Sequence, residues 1–395
     1  MQRKIAFNII YNTIVKKSYS NLLMRKELDK LEKIQRNFVS ELVNGVLRNY
    51  DYLVYQTKSF YTKTNINNEI ILAMASYERF FMHEKDYVVN NEYVKLAKDE
   101  YNKSFINAIL HKTNKLIEPE DNYIKESLPK WIYDLLNKQY EAIDFNKILV
   151  NYKKIPKVYY RLNPKKAKFD MLKKFDIDII DSYTFTSNIN LIDTVEFNDG
   201  LFYVQDLNAA KLIEKLELKE SDIFLDCCSA PGSKLFNALE YIKEENAYSN
   251  DLSEKRVNLI KSKAKLLGYN NVSYFSFDAS SIHEHFNIKF DKILLDVPCS
   301  GLGVLSRKTD IKFHITPSSL DELVVLQSKI LDSAFKLLKS NGLLLYSTCT
   351  LNIKENGKQI DKFINSHLDA KLLFAETIIS DVGDMFYYAL LTKVS

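Results

Sequence analysis

Apolar and polar positions alternate differently in different parts of the chain. Near the start, Ala6, Ile9, Ile10 and Ile14 recur at helical spacing, and Phe38, Leu42, Val43, Val46 and Leu47 repeat the pattern. Up to Glu118 there is no proline and Gly45 is the sole glycine, so nothing punctuates long helices. The pattern predicts an all-α domain over residues 1–121, which at its simplest is a packing or docking module. From about Asn122 to Gly200 the pattern is mixed and carries Pro129, Pro156 and Pro164. It predicts a small α+β linking subdomain over 122–200. After Gly200, the short apolar runs IFLDCC, KILLDVP and LLLYSTC alternate with helical patterns at Glu254–Leu267 and Leu320–Leu338. Unbroken apolar runs of this length suit strands buried on both faces of a parallel sheet. Residues 201–395 therefore read as a doubly wound, Rossmann-like α/β domain, with AKLLFAE and MFYYALLTK as a closing pair of strands.

Composition narrows the picture. A chain that is 46% hydrophobic and 27% charged folds throughout rather than remaining disordered. The net charge of +4 is small against 55 basic and 51 acidic residues, so any nucleic-acid contact must come from local clustering. The stretch NYKKIPKVYYRLNPKKAK offers one cluster. Its Lys153, Lys154, Lys157, Arg161, Lys165, Lys166 and Lys168 could track phosphates while Tyr159 or Tyr160 provides a stacking face. A solvated basic surface is the competing reading. No run of about eighteen apolar residues is present, and the opening residues lack the pattern of a cleavable leader. A cytoplasmic protein with no membrane association is expected. The cysteines at 227, 228, 299 and 349 match neither zinc-site spacing nor a secreted disulfide framework, so reduced thiols and no metal are expected.

The chemistry-bearing residues sit where the apolar runs end, which is where open parallel sheets bind ligands. The first run breaks into DCCSAPGSK, Asp226 to Lys234, a turn leading into a helix near Ser233. It is neither a Walker phosphate loop nor a Gly-x-Gly-x-x-Gly turn, which suggests a nucleotide-like ligand without a polyphosphate. Asp251, in YSNDLSEKR, is placed to hold ribose hydroxyls, or simply to favour a helix N-terminus. Asp278, in FSFDASS, is a weaker candidate for the adenine or ribose. DVPCSG (Asp296–Gly301) and YSTCT (Tyr346–Thr350) then place Cys299 and Cys349 at the mouths of strands that should be neighbours. One buried cysteine is usually a small hydrophobe, but two beside an acid and Pro298 point to a reactive site.

These motifs, in this order, resemble the Nop/Sun family of RNA cytosine-5 methyltransferases, and within it the bacterial ribosomal small-subunit methyltransferase B type. The resemblance rests on CSAPGSK (Cys228–Lys234), FDKILLDVPCSGLGVLSRKTDIK (Phe290–Lys312) and YSTCTLNIKEN (Tyr346–Asn356), with YVQD and GDMFYYALL beside them. FVSELVNGVLR, NNEYVKLAK and FINAILH look like the NusB-like helical domain of such proteins, and LPKWI like the connecting region, so nearly the whole chain is covered. The cofactor turn departs from the family. Gly232, Ser233, Lys234 and Leu235 stand where Gly-Gly-Lys-Thr is usual, which could weaken the cofactor's hold if the second glycine is needed for close approach.

The resemblance implies S-adenosylmethionine as cofactor, held by the turn Cys228, Ser229, Ala230, Pro231, Gly232, Ser233 and Lys234 together with Asp251, Arg256, Asp278 and Asp296. It assigns Cys349 as the nucleophile that adds to carbon 6 of a cytosine and Cys299 to resolution of the adduct. Asp296 would act as an acid toward the base, and Lys234 would orient base or cofactor. Residue chemistry by itself does not choose between the two thiols. The implied partner is small-subunit (16S) ribosomal RNA, bound by a monomer with the target base flipped or single-stranded. Two other functions compete. A DNA cytosine-5 methyltransferase would use the Pro-Cys thiol, but Ser300 rather than Gln follows Cys299 here. A non-catalytic RNA-binding assembly factor would keep the fold and lose a reactive residue, yet both cysteines and Asp296 are present.

Overall fold

The computed structural model describes residues 1–394. The chain forms two compact units, one built from Met1–Lys154 with Leu305–Ile315, the other from Ile155–Val304 with Thr316 onward.

The first unit is all-helical. Its first seven helices are α1 (Gln2–Lys16), α2 (Ser20–Leu28), α3 (Lys33–Arg48), α4 (Tyr50–Lys58), α5 (Ile66–Phe80), α6 (Asp86–Val94) and α7 (Glu100–Lys112). Ala6, Ile9 and Ile10 of α1 and Leu42, Val43, Val46 and Leu47 of α3 are buried in one core, as their spacing predicts. The centre is α5, started by the Asn65 side chain accepting from Asn68 N and buried on nearly every face from Asn68 to Arg79. Gly45 is where α3 meets it closely, since a Cβ there would stand 1.9 Å from Cζ of Tyr77.

Further helices at Asn122–Lys125, Lys130–Gln139 and Ala142–Lys153 complete this unit, together with the segment that leaves the other unit after Val304. That segment is tied in by polar contacts. Asp310 Oδ2 accepts from Ser20 N at 3.0 Å, Arg48 Nη2 donates to Ser306 O at 2.9 Å, and the buried Lys312 ammonium donates to the carbonyls of Arg48 (2.9 Å) and Ser127 (2.5 Å). The boundary at Lys154 falls inside the stretch read from sequence as one linking subdomain, whose helical part belongs to this unit and whose strands belong to the other.

The second unit opens with a four-stranded antiparallel sheet of β1 (Tyr159–Leu162), β2 (Ile177–Ile179), β3 (Thr184–Ser187) and β4 (Phe202–Val204), in the order β2-β3-β1-β4. Here the expectation for the basic stretch is corrected at Arg161 and at its two tyrosines. All four residues of β1 are buried, so neither Tyr159 nor Tyr160 offers a stacking face. Arg161 is also buried and holds Glu240 through two hydrogen bonds, Nε to Oε1 at 2.8 Å and Nη2 to Oε2 at 2.7 Å. Lys165 pairs with Glu244, and Lys166 donates to Asp199 O and Leu266 O. These three side chains fasten the small sheet to its neighbours, while Lys153, Lys154, Lys157 and Lys168 remain exposed.

The large sheet contains β5 (Phe224–Asp226), β6 (Ala247–Asn250), β7 (Ser273–Phe275), β8 (Phe290–Asp296), β9 (Leu338–Thr348), β10 (Ala370–Ile378) and β11 (Phe386–Lys393). Their order is β10-β11-β9-β8-β5-β6-β7. The pairs among β5 to β9 are parallel, while β11 runs antiparallel to both β9 and β10. This is the expected doubly wound architecture with a closing hairpin. Successive strands run outward from β5 to β7, and the chain then returns to place β8 on the other side of β5. The order therefore reverses between β5 and β8, and ligands in such sheets bind at the carboxyl ends flanking that point.

Candidate active site

Each carboxyl end near the reversal contributes one group. After β5 the chain turns through Cys227–Gly232 into the helix Ser233–Ala238. Gly232 has φ of 102°, and a Cβ there would lie 2.6 Å from the Phe236 ring and 3.2 Å from Ile260, so the fold itself requires glycine. Ser233, the departure from the usual second glycine, is the first helical residue, a conformation open to any side chain. Its carbonyl accepts from Gln205 Nε2 at 3.1 Å. Burial pushes the thiols of Cys227 and Cys228 well up, which disfavours their thiolate forms.

Asp251, just past β6, is nearly inaccessible, at 4% exposure. Its Oδ2 accepts from Ala230 N at 3.2 Å and its Oδ1 from Ser253 N at 3.1 Å, while Arg256 lies 3.4 Å away and also donates to Ala230 O at 3.3 Å. Asp251 thus braces the turn after β5 against the end of β6. Ser253, not Asp251, occupies the cap position of the following helix. Asp278 lies three residues beyond β7, exposed, and caps the short helix Ala279–Glu284 through Ser280 N at 2.8 Å.

The reactive groups converge at β8 and β9. Asp296, the last residue of β8, accepts from Lys234 Nζ at 2.6 Å and from Ser347 Oγ at 3.1 Å. Burial disfavours the Lys234 ammonium, yet its pKa is raised, because Asp296 and, after it, Cys349 and Asp226 favour the charge. Its Nζ also sits 5.2 Å from the Phe386 ring centroid. Burial pushes the Asp226 carboxyl up to about 7; Ser229 opposes the rise, Asp296 adds to it and Lys234 opposes it. Cys299 and Cys349 face each other with sulfurs 3.3 Å apart, both partly exposed, and neither forms a disulfide. The hydrogen bond to Cys349, then burial, then the charges of Cys349, Glu355 and Asp296 push the Cys299 thiol well up.

Cys349, Cys299, Asp296 and Lys234 are therefore brought together, with the turn, Asp251 and Arg256 at the adjoining strand ends and Asp278 further along the edge. Several residues were not singled out from sequence. Glu355 and Ser347 lie inside quoted motifs, but no spacing marked them as partners of the cysteine loops or of Asp296. The YVQD and GDMFYYALL motifs turn out to support one another: Asp206 Oδ2 accepts from Asp384 N at 2.9 Å, and Asn208 Nδ2 donates to the carbonyls of Val382 and Asp384.

A doubly wound sheet of this topology, with a cofactor-type turn after β5 and an acid after β6, is the architecture of an α/β methyltransferase, here carried together with an all-helical unit. Comparison with known proteins agrees. Residues 213–388 match the family described as 16S rRNA methyltransferase RsmB/F, and residues 1–115 match the NusB family. The ribosomal RNA small subunit methyltransferase B of Photorhabdus laumondii is 33% identical over 74% of this chain and 73% of its own length. The probable ribosomal RNA small subunit methyltransferase B of Bacillus subtilis is 30% identical over 93% of this chain and 89% of its own. Among solved structures, PH0851 superposes with a TM-score of 0.83 over 99% of this chain and 98% of that one, at 20% identity. NSun6 from Pyrococcus horikoshii superposes at 0.61 over 68% and 99%, also at 20%. At that identity the structural likenesses speak to the fold. The chain belongs to the RsmB/F family of 16S rRNA methyltransferases. Among the described residues, no helix is long and apolar enough to cross a membrane, and no cluster of side chains suits a metal ion.

Proposed function

We propose that this protein methylates carbon 5 of a cytosine in small-subunit ribosomal RNA, with S-adenosylmethionine as donor and Cys349 as nucleophile. The observation that carries this reading is the pair of thiols 3.3 Å apart at the ends of adjacent parallel strands, beside the Lys234–Asp296 ion pair.

The donor fits the residues present. The strand-end positions after β5, β6 and β7 carry a turn, a buried acid and an exposed acid in the order a nucleoside with a charged amino-acid tail needs. The Ser229 hydroxyl and the Asp226 carboxyl are buried beside each other at the turn, a polar pair that a ligand's polar end can engage. Asp251 would take the ribose, Asp278 the adenine side, and the turn from Cys228 to Lys234, with Arg256 and Asp296, the amino-acid end. When bound, the donor supplies the electrophilic methyl group that carbon 5 accepts.

Carbon 5 of cytosine is a poor nucleophile until a thiolate has added at carbon 6. The charge environment supports Cys349 for that role. Its charge and the Lys234 ammonium favour each other, whereas the hydrogen bond to Cys349, then burial, then the charges of Cys349, Glu355 and Asp296 push the Cys299 thiol up. As the Cys349 thiolate bonds to carbon 6, Asp296 hydrogen-bonds the polar edge of the ring and passes to N3 a proton it has taken from its partner, the Lys234 ammonium. After carbon 5 is methylated, its proton must be removed so that the sulfur–carbon bond can break and restore the aromatic ring. Cys299 is placed to take or relay that proton. The helical unit contributes RNA binding.

The test separates the two thiols. Cys349→Ala should abolish methylation and form no covalent RNA complex. Cys299→Ala should accumulate a denaturation-resistant adduct on a denaturing gel, since its release step is stalled. The reverse pattern would move the nucleophile to Cys299 and favour a DNA-type mechanism.

A further inference from the structure

Glu355 is completely buried, and among the described residues no Lys or Arg pairs with it. Burying an unpaired carboxylate is costly unless its lone pairs are filled. Here they are filled by two loops and a helix. Oε2 accepts from Ser300 N at 2.9 Å and from Gln327 Nε2 at 3.0 Å; Oε1 accepts from Ser300 Oγ at 2.5 Å and from Asn352 Nδ2 at 3.1 Å. Gln327 spends its other amide hydrogen on Pro298 O at 2.9 Å, which fixes the amide's orientation. Three of the four partners, Ser300 N and the amide nitrogens of Gln327 and Asn352, can only donate, which matches a carboxyl that accepts at both oxygens.

The loops joined this way are the two that carry the thiols. Ser300 follows Cys299, and Pro298 precedes it. Thr350 follows Cys349, and its Oγ1 lies 2.6 Å from Ser300 Oγ. Because the Ser300 hydroxyl donates to Glu355, it must accept from Thr350, so hydroxyl, hydroxyl and carboxylate form one directed chain. Two further bonds hold the same loops: Cys349 O accepts from Gly303 N at 2.9 Å, and Tyr346 OH donates to Glu355 O at 2.8 Å.

We infer that Glu355 is a positioning residue for the reaction, whose carboxylate clamps the Cys299 loop to the Cys349 loop and so sets the spacing at which one sulfur adds to the base while the other serves its carbon-5 proton. The inference rests on the two-thiol chemistry proposed above. The same carboxylate lies on the Cys299 side of the pair, where its negative charge adds to the hydrogen bond to Cys349, to burial and to the Cys349 charge in pushing the Cys299 thiol up. One group thus sets both geometry and division of labour. A clamp with no charge would supply the first without the second.

The experiment compares Glu355→Gln and Thr350→Val with the unmodified full-length protein, using S-adenosylmethionine and transcribed small-subunit ribosomal RNA. The amide must turn a donor toward partners that are themselves donors, so Glu355→Gln should lower kcat about tenfold or more. KM for RNA and the donor's Kd, measured by calorimetry, should stay within about twofold. The second readout is the alkylation rate of Cys299 against pH in a Cys349→Ala background, whose midpoint should move to lower pH in Glu355→Gln. A purely structural role would not move it. Thr350→Val, which removes only the hydroxyl feeding Ser300, should lower kcat severalfold with the donor's Kd unchanged, and it decides the matter if Glu355→Gln does not fold. Folded variants with kcat within about twofold of the parent, or losses lying wholly in donor affinity, would overturn the clamp. Cys349→Ala run alongside tells the two ideas apart: if it still methylates RNA, the two-thiol reading and the clamp fall together, whereas if it is dead and Glu355→Gln is not, only the clamp falls.

Discussion

Replacing Arg161 by Met tests whether the most basic stretch of the chain holds RNA or holds the protein together. The guanidinium and the Glu240 carboxylate form a two-pronged pair with side chains 3% and 4% exposed, and the Tyr203 hydroxyl adds a third hydrogen bond to Glu240 Oε1 at 3.1 Å. Met matches the stem but leaves the carboxylate buried without its cation. Breaking a buried pair from one side costs about 3–5 kcal/mol, largely the penalty of the orphaned charge. The unit concerned has roughly 230 residues, for which about 1 kcal/mol moves Tm by about 2–4 °C, so a fall of about 6–20 °C is expected.

Burial already raises the Glu240 pKa against the opposition of Arg161 and Tyr203. Without Arg161 it must rise further. The folded state then holds a proton that the unfolded chain has lost, over the window between the unfolded and the raised folded pKa, so stability falls as pH rises through that window. The mutant's deficit, read from urea unfolding, should therefore be larger at pH 8 than at pH 5.5. Removing both charges, as Arg161→Met with Glu240→Leu, should recover most of the loss apart from Tyr203's missing acceptor, and this double mutant should bind RNA as the parent does. A deficit below about 1 kcal/mol, or weakened RNA binding with stability intact, would return Arg161 to the nucleic-acid surface.

Asp251→Ala should weaken S-adenosylmethionine binding by about 10- to 100-fold, the worth of a charged hydrogen-bonding group of about 1.5–3 kcal/mol, with RNA affinity nearly unchanged; an unaltered Kd for the donor in calorimetry would remove Asp251 from the cofactor site. Burial lowers the Lys312 pKa to about 8, so between that value and the ordinary lysine range the unfolded chain binds more protons, and this residue's contribution must grow as pH rises through the window, by an amount on the order of 3 kcal/mol. Unfolding of the parent and of Lys312→Met at pH 7.5 and pH 10 checks this: the parent should gain relative to the mutant at the higher pH, and an unchanged difference would show that Lys312 is not buried as described.

Periodicity exposed most of the architecture because burial on one helical face leaves a direct trace in sequence. Ala6, Ile9 and Ile10 on α1 and the unbroken apolar stretch of β8 were legible for that reason. The role of NYKKIPKVYYRLNPKKAK was not. A run of cations in sequence says nothing about partners supplied from elsewhere, and the one that neutralises Arg161 lies 79 positions away. β1 is buried at all four positions, so even its tyrosines point into the protein whichever face they take. The thiols of the candidate site were legible as motifs, but the ion pair beside them joins residues 62 apart, and the clamp on them depends on a glutamate that no spacing rule selects.

The block Phe290–Lys312 shows most clearly why a contiguous motif need not act as one piece. Up to Val304 it belongs to the α/β unit: β8 delivers Asp296, the turn delivers Cys299, and Gly303 is pressed against the β11 approach so closely that a Cβ would stand 2.1 Å from Met385 O. From Leu305 the chain enters the helical unit, where Asp310 and Lys312 satisfy backbone groups of α2, α3 and the turn at Ser127. The motif thus serves two units, with its reactive residues in the first and its later part tied into the second. The two roles predict different mutant behaviour: changes at Asp296 or Cys299 should lower rate ahead of stability, and changes at the buried β8 positions, at Gly303 or after Val304 should lower stability first.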